Sequence, residues 1–115
     1  VSAVEKIELE PSAVAERLAG DPGLQLIDVR EPYEHEAGHI PDSRHIELTA
    51  LSSRAESLQQ GQPVVFYCRV GSRSLMAAQA FRASGFEAYS MAGGLLRWTQ
   101  EGRPLAPDGG RVADH

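Results

Sequence analysis

The sequence predicts an α/β fold: a central, mostly parallel five-stranded sheet with helices on both faces. Three observations lead there. Short apolar runs rich in β-branched and aromatic residues alternate along the chain with stretches of helical periodicity. The run Pro63-Val64-Val65-Phe66-Tyr67 passes through one short turn into Leu75-Met76-Ala77-Ala78-Gln79-Ala80-Phe81-Arg82-Ala83, as a buried strand feeding a crossover helix does. A length of 115 residues with 42% hydrophobic content suffices for one core without disulfides.

The elements follow in order. Lys6-Ile7-Glu8-Leu9 is predicted as a short strand. Pro11 to Ala19 is a helix, with Pro11 in the first turn, where a missing N–H is tolerated, and Gly20 as its stop. Leu24 to Val29 is a core strand and Glu31 to Glu36 a helical turn. His45-Ile46-Glu47 is a short strand, and Leu48 to Leu58 a helix with Gly61 beyond it. Pro63 to Tyr67 is the central strand, Ser74 to Ala83 the helix after it, Glu87-Ala88-Tyr89 the fifth strand and Gly94 to Gln100 the last helix. No internal repeat is visible. One domain is predicted over 1–104; residues 105–115 lack periodicity, are rich in Gly and Pro, and are expected to form a flexible tail.

The only cysteine, Cys68, falls in the turn between the central strand and its helix. In an open α/β sheet, ligands bind beyond the carboxyl ends of the strands, where the next helix points its unsatisfied N–H groups and positive dipole end. Gly71 permits a positive φ, so that the amides of Val70, Gly71 and Ser72 can curl around one sulfur, while Arg69 and Arg73 add positive charge. Helix N-termini and nearby cations lower a cysteine pKa from about 8.5 into a range of roughly 3.5 to 7.5. Cys68 is therefore expected to be a nucleophile and not merely a small core residue. A packing cysteine has no use for arginines one and five positions later with a glycine between them.

Charge and composition restrict the partners. The net charge of -5 argues against nucleic acid. Nine of the sixteen acidic residues precede Ala37 and none lies between Ser57 and Phe86, so an anion approaching Cys68 meets a locally positive patch. One cysteine cannot form an internal disulfide, no apolar run is long enough to span a membrane, and Val1-Ser2-Ala3-Val4-Glu5-Lys6 carries no cleavable signal pattern. These features predict a cytoplasmic protein without a membrane partner. The chain begins with Val1 instead of methionine, which is compatible with processing, trimming or excision from a larger protein. No cofactor or metal is expected: G-x-G-x-x-G and Walker patterns are absent, and four scattered histidines and one cysteine lack metal-ligand spacing.

Four segments in order resemble the single-domain rhodaneses, a sulfurtransferase family. They are Leu26-Ile27-Asp28-Val29-Arg30-Glu31, Glu34-His35-Glu36-Ala37-Gly38-His39-Ile40-Pro41, Cys68-Arg69-Val70-Gly71-Ser72-Arg73-Ser74 and Gly93-Gly94-Leu95-Leu96-Arg97-Trp98. The likeness runs from about Leu24 to about Pro104. It departs from the family at Asp42-Ser43, where a small pair such as Gly-Ala is usual, and at His45-Ile46-Glu47, where Asn-Ile-Pro is usual. Both departures bear on substrate access more than on chemistry.

The resemblance implies a two-step transfer of sulfane sulfur from a small anionic donor such as thiosulfate to cyanide or a thiol, with a persulfide on Cys68. It implies that Arg69 and Arg73 orient the donor and that the amides of Val70, Gly71 and Ser72 hold the terminal sulfur. It also implies that Asp28 and Arg30 brace the region and that His39 fixes backbone. Leu95 and Trp98 sit at helical spacing and read as core anchors, with Gly93-Gly94 making a tight turn into their helix.

Two other functions remain in view. One is a sulfur-relay or regulatory module of a larger protein, receiving sulfur from a protein partner. The other is a phosphatase, because the architecture also resembles the cell-cycle dual-specificity phosphatases. Their loops hold Cys and Arg six positions apart, whereas Cys68 and Arg73 are five apart, a tighter ring better suited to a single sulfur.

Overall fold

The computed structural model describes residues 6–115. Val1–Glu5, within the stretch that carries no cleavable signal pattern, lie outside the described residues. Five strands, β1 (Glu8–Leu9), β2 (Gln25–Asp28), β3 (Arg44–His45), β4 (Val64–Tyr67) and β5 (Ala88–Met91), form one sheet in the order β1-β5-β4-β2-β3. Every strand pairing is parallel. Helices α1 (Pro11–Gly20), α2 (Pro32–Ala37), α3 (Ser72–Ala83) and α4 (Gly94–Gln100) connect them. Among the described residues, no helix is long and apolar enough to cross a membrane.

The two-residue period of β4 divides the interior into two cores. Val64, Phe66 and, just beyond the strand, Cys68 join Ile27, Val29, Ala77 and Phe81 on the α3 side. Val65 and Tyr67 join Val14, Tyr89, Leu95 and Trp98 on the side of α1 and α4. All four β4 residues are buried, as expected of a central strand covered on both faces. Cys68 thus leaves the sheet on the α3 face, at the carboxyl end of the central strand.

Two expectations change. The helix predicted over Leu48 to Leu58 is instead a pair of 3₁₀ segments, Leu48–Ala50 and Ser52–Ser57, joined at Leu51. Serine hydroxyls explain the tighter winding: Ser53 Oγ donates to the Ala50 carbonyl and Ser57 Oγ to the Arg54 carbonyl, three residues back in each case. Buried Leu51 and Leu58 still supply the apolar contacts that suggested a helix.

The second concerns residues 105–115, expected to be a flexible tail. They lie docked along α2 and the loop after it. His39 and Ala106 exchange backbone hydrogen bonds of 2.9 and 2.8 Å, and Arg111 N–H donates to the Ala37 carbonyl at 2.8 Å. Leu105 and Val112 pack against the α1 and α4 core, and Ala113 is buried. Three apolar side chains spaced along an irregular segment escape any periodicity search, which is why the sequence conceals this packing.

Candidate active site

Cys68 has no solvent exposure, yet its sulfur faces donors. Gly71 N–H donates to Sγ at 3.1 Å and Ser74 N–H at 3.4 Å, with Ser74 Oγ 3.5 Å away. Gly71 makes the curl possible: it caps α3 at φ 108°, in the left-handed region that a side chain disfavours. Of the three amides named from the sequence, Gly71 reaches the sulfur while those of Val70 and Ser72 make no hydrogen bond to it. The second donor is Ser74, whose amide lies within the first turn of α3.

The carbonyls of the loop are held from the other side by α4. Leu95 N–H donates to the Cys68 carbonyl at 2.8 Å and Leu96 N–H to the Arg69 carbonyl at 3.0 Å. Gly94 permits this approach: at φ 61°, a Cβ there would overlap the carbonyl groups of Arg69 and Cys68. The Gly93-Gly94 pair is therefore more than a tight turn, because it admits the helix end that pins the Cys68 loop.

The two arginines are each given an acidic neighbour. Arg73 Nη1 and Nη2 donate to the two oxygens of Glu34 at 2.8 and 3.0 Å, with Glu34 fully buried and the Arg73 side chain 17% exposed. Burial would raise the Glu34 carboxyl, but the Arg73 hydrogen bonds and the Glu31 amide outweigh it and hold it below its usual range. Arg69 Nη2 lies 3.5 Å from a carboxylate oxygen of Asp114, with side chains 30% and 99% exposed. Both arginines were expected to add positive charge at the loop; a guanidinium packed this closely needs a partner, and Glu34 supplies it for Arg73.

Asp28 and Arg30 form a second, wholly buried pair beyond β2. Arg30 Nε and Nη2 donate to the Asp28 carboxylate at 2.9 and 2.7 Å, and Nη2 also donates to the Gly38 carbonyl at 2.7 Å. Burial works to raise the Asp28 carboxyl, but hydrogen bonds from His35 and Arg30 and the Arg30 charge prevail, lowering it from 3.8 to about 2. His39 Nδ1–H donates to the His35 carbonyl at 2.7 Å, so that histidine fixes backbone. This bracing ties β2 to the loop after α2.

A protein-family model of the rhodanese-like domain matches residues 10–101. The chain belongs to the rhodanese-like domain family. This rhodanese-like chain is 34% identical over 97 residues to "Putative sulfurtransferase YtwF" of Bacillus subtilis, covering 84% of this chain and 94% of that protein. A protein of Allochromatium vinosum named "Sulfurtransferase" is 31% identical over 104 residues, covering 89% of this chain and 97% of its own. Among solved structures, a rhodanese-related protein of Thermoplasma volcanium superimposes with a TM-score of 0.79 at 25% identity, covering 86% and 96% of the two chains.

Within this rhodanese-like domain, sequence reasoning located the Cys68 loop and missed what surrounds it. Glu34 and Ser74 both lie in segments that carry the family likeness, but nothing in their local spacing told which group each would bind. Ser90 and Asp114 sit 22 and 46 residues beyond Cys68, and only the fold brings them near. Glu31, Glu34 and His115 also come within 4.8 Å of one another, but both Glu34 oxygens are occupied by Arg73.

Proposed function

We propose that this domain moves sulfane sulfur from thiosulfate, or a donor like it, to cyanide or a thiol through a persulfide on Cys68. The observation that carries this reading is the pair of backbone N–H groups directed at a single sulfur, from Gly71 and Ser74. Such donors favour a charged sulfur over a neutral one. The sulfurtransferase names borne by relatives of nearly equal length support the same class of reaction.

In the first step the Cys68 thiolate attacks the outer sulfur of thiosulfate. The sulfur–sulfur bond of the donor breaks, its electron pair leaves with sulfite, and Cys68 carries one added sulfur with a negative charge. In the second step the acceptor attacks that terminal sulfur, the bond to Sγ breaks, and the electron pair returns to Cys68. Charge balances in both steps without an external oxidant or reductant.

Arg69, partly exposed and only loosely met by Asp114, is assigned to the donor's sulfonate. Arg73 is assigned to the positive potential at the loop, fixed in place by Glu34. The amides of Val70 and Ser72, which leave Sγ itself alone, are assigned together with Gly71 to the terminal sulfur one bond further out. A lone cysteine with no internal disulfide partner suits the reducing cytoplasm as the place of this work.

Intact-mass measurement after thiosulfate treatment tests the proposal. The expected result is a gain of one sulfur atom that is absent in Cys68→Ala and removed by cyanide as thiocyanate. No gain, or a gain that survives Cys68→Ala, would overturn it.

A further inference from the structure

Strand β5 contributes a polar side chain to the interior that the scheme above leaves unused. Ser90 has no solvent exposure and stands in register with Phe66, two residues before Cys68, on the sheet face covered by α3. Its Oγ lies 2.7 Å from Ser74 Oγ. Ser74 Oγ in turn lies 3.2 Å from the Gly71 carbonyl and 3.5 Å from Cys68 Sγ. Two buried hydroxyls and the sulfur therefore form one line, running from the sheet through α3 to the reactive atom.

Counting protons gives the line a direction. Each hydroxyl has one proton to donate. The Ser90 hydroxyl has a single hydrogen-bond partner among the described residues, Ser74 Oγ. If Ser74 donated toward Ser90, the Ser90 proton would be buried without an acceptor, which is the costly arrangement. Ser90 therefore donates to Ser74, and the Ser74 proton is left to the Gly71 carbonyl or to Sγ. Ionisation of the sulfur decides between those two acceptors, because a neutral sulfur is a poor acceptor and an ionised one a good one.

We propose that Ser90 is a positioning residue for Cys68, acting through Ser74. Its donated proton holds the Ser74 hydroxyl outward and polarises it, so that Ser74 supplies a third donor to the sulfur whenever that atom is charged. As the negative charge moves to the terminal sulfur during transfer, the Ser74 proton turns back to the Gly71 carbonyl, and it returns when the thiolate is regenerated. The inference rests on Cys68 being the reactive sulfur, but it concerns how that sulfur is ionised and not which donor it uses.

Alkylation by iodoacetamide reads the sulfur directly and requires no sulfur donor, so failure of this inference is separable from failure of the sulfurtransferase reading. Ser90→Ala is expected to move the pH profile of Cys68 alkylation upward by about half a unit, which slows alkylation on the rising limb of that profile by up to about threefold, within the worth of one neutral hydrogen bond. In a Ser74→Ala background the same substitution should change nothing further, since the relay is already cut. Thermal melting of each variant identifies a folded protein, and Ser90→Thr, which keeps the hydroxyl, serves where Ser90→Ala fails to fold: it should keep the wild-type profile. An unshifted profile in folded Ser90→Ala, equal effects of Ser90→Ala with and without Ser74, or a shifted profile in Ser90→Thr would each overturn the proposal.

Discussion

Glu34 and Arg73 meet through two parallel hydrogen bonds of 2.8 and 3.0 Å, which tie α2 to the first turn of α3. The pair sets the position of the helix whose amides face Cys68, and its carboxylate is entirely buried. Removing one partner strands the other's charge in a poorly solvated place. Glu34→Ala is expected to lower stability by about 3 kcal/mol, with Glu34→Gln losing less because it keeps two polar atoms in the same space. Urea denaturation measures both; a loss under about 1 kcal/mol in Glu34→Ala would show that solvent screens the pair.

Gly71→Ala separates backbone conformation from space. A Cβ at Gly71 would meet its nearest neighbour, the Gly93 nitrogen, at 3.5 Å, an ordinary contact. The penalty is therefore conformational, about 1–3 kcal/mol for a side chain at φ 108°. If the loop relaxes to a negative φ, the Gly71 amide turns away from Sγ, and persulfide loading should fall by about tenfold, the worth of one hydrogen bond to a charged atom. Loading rates at wild-type level in a folded Gly71→Ala protein would exclude that amide from the chemistry.

Acid should weaken the fold through Asp28. A carboxyl held lower in the folded than in the unfolded chain adds stability that is present above the unfolded value and lost as pH falls through the folded one. For Asp28 that window runs from 3.8 down to about 2. The expected loss is about 2 kcal/mol across it, measured as the denaturant midpoint at stepped pH. In Asp28→Asn the same interval should show a correspondingly flatter slope, and an unchanged slope would assign the acid sensitivity to other carboxyls.

Asp114 competes with any anion that approaches Arg69. Its carboxylate is 99% exposed and only 3.5 Å from the guanidinium, so the contact is weak and salt-sensitive. Asp114→Ala is expected to lower the KM for thiosulfate about twofold at low ionic strength, with the difference vanishing in about 0.5 M salt. Steady-state kinetics at the two salt concentrations checks this. An unaltered KM at low salt would remove Arg69 from donor capture.

The sheet was legible because its strands are short apolar runs bounded by turn residues, and β4 with its four buried residues is the clearest of them. Cys68 was legible because glycine and arginine beside a strand-to-helix junction have few other physical uses. Long-range partners were not. Glu34 reads as one more helix-surface acid until α2 is seen against α3, and the Leu95 and Leu96 amides read as ordinary helix starts until Gly94 brings them to the Cys68 loop. The serines of the 3₁₀ segments show a further limit: apolar spacing identified which leucines are buried, while hydroxyl-to-carbonyl bonds decided the winding between them.

The grip of α4 on the carbonyls at positions 68 and 69 makes the Cys68 loop depend on a late part of the chain. Those amides lie more than twenty residues beyond the cysteine, and the chain reaches them only by way of β5, which runs between β1 and β4. A polypeptide that ends short of Leu96 thus lacks an amide that fixes this loop, and the turn that carries Cys68 is fully tied down only once α4 is in place.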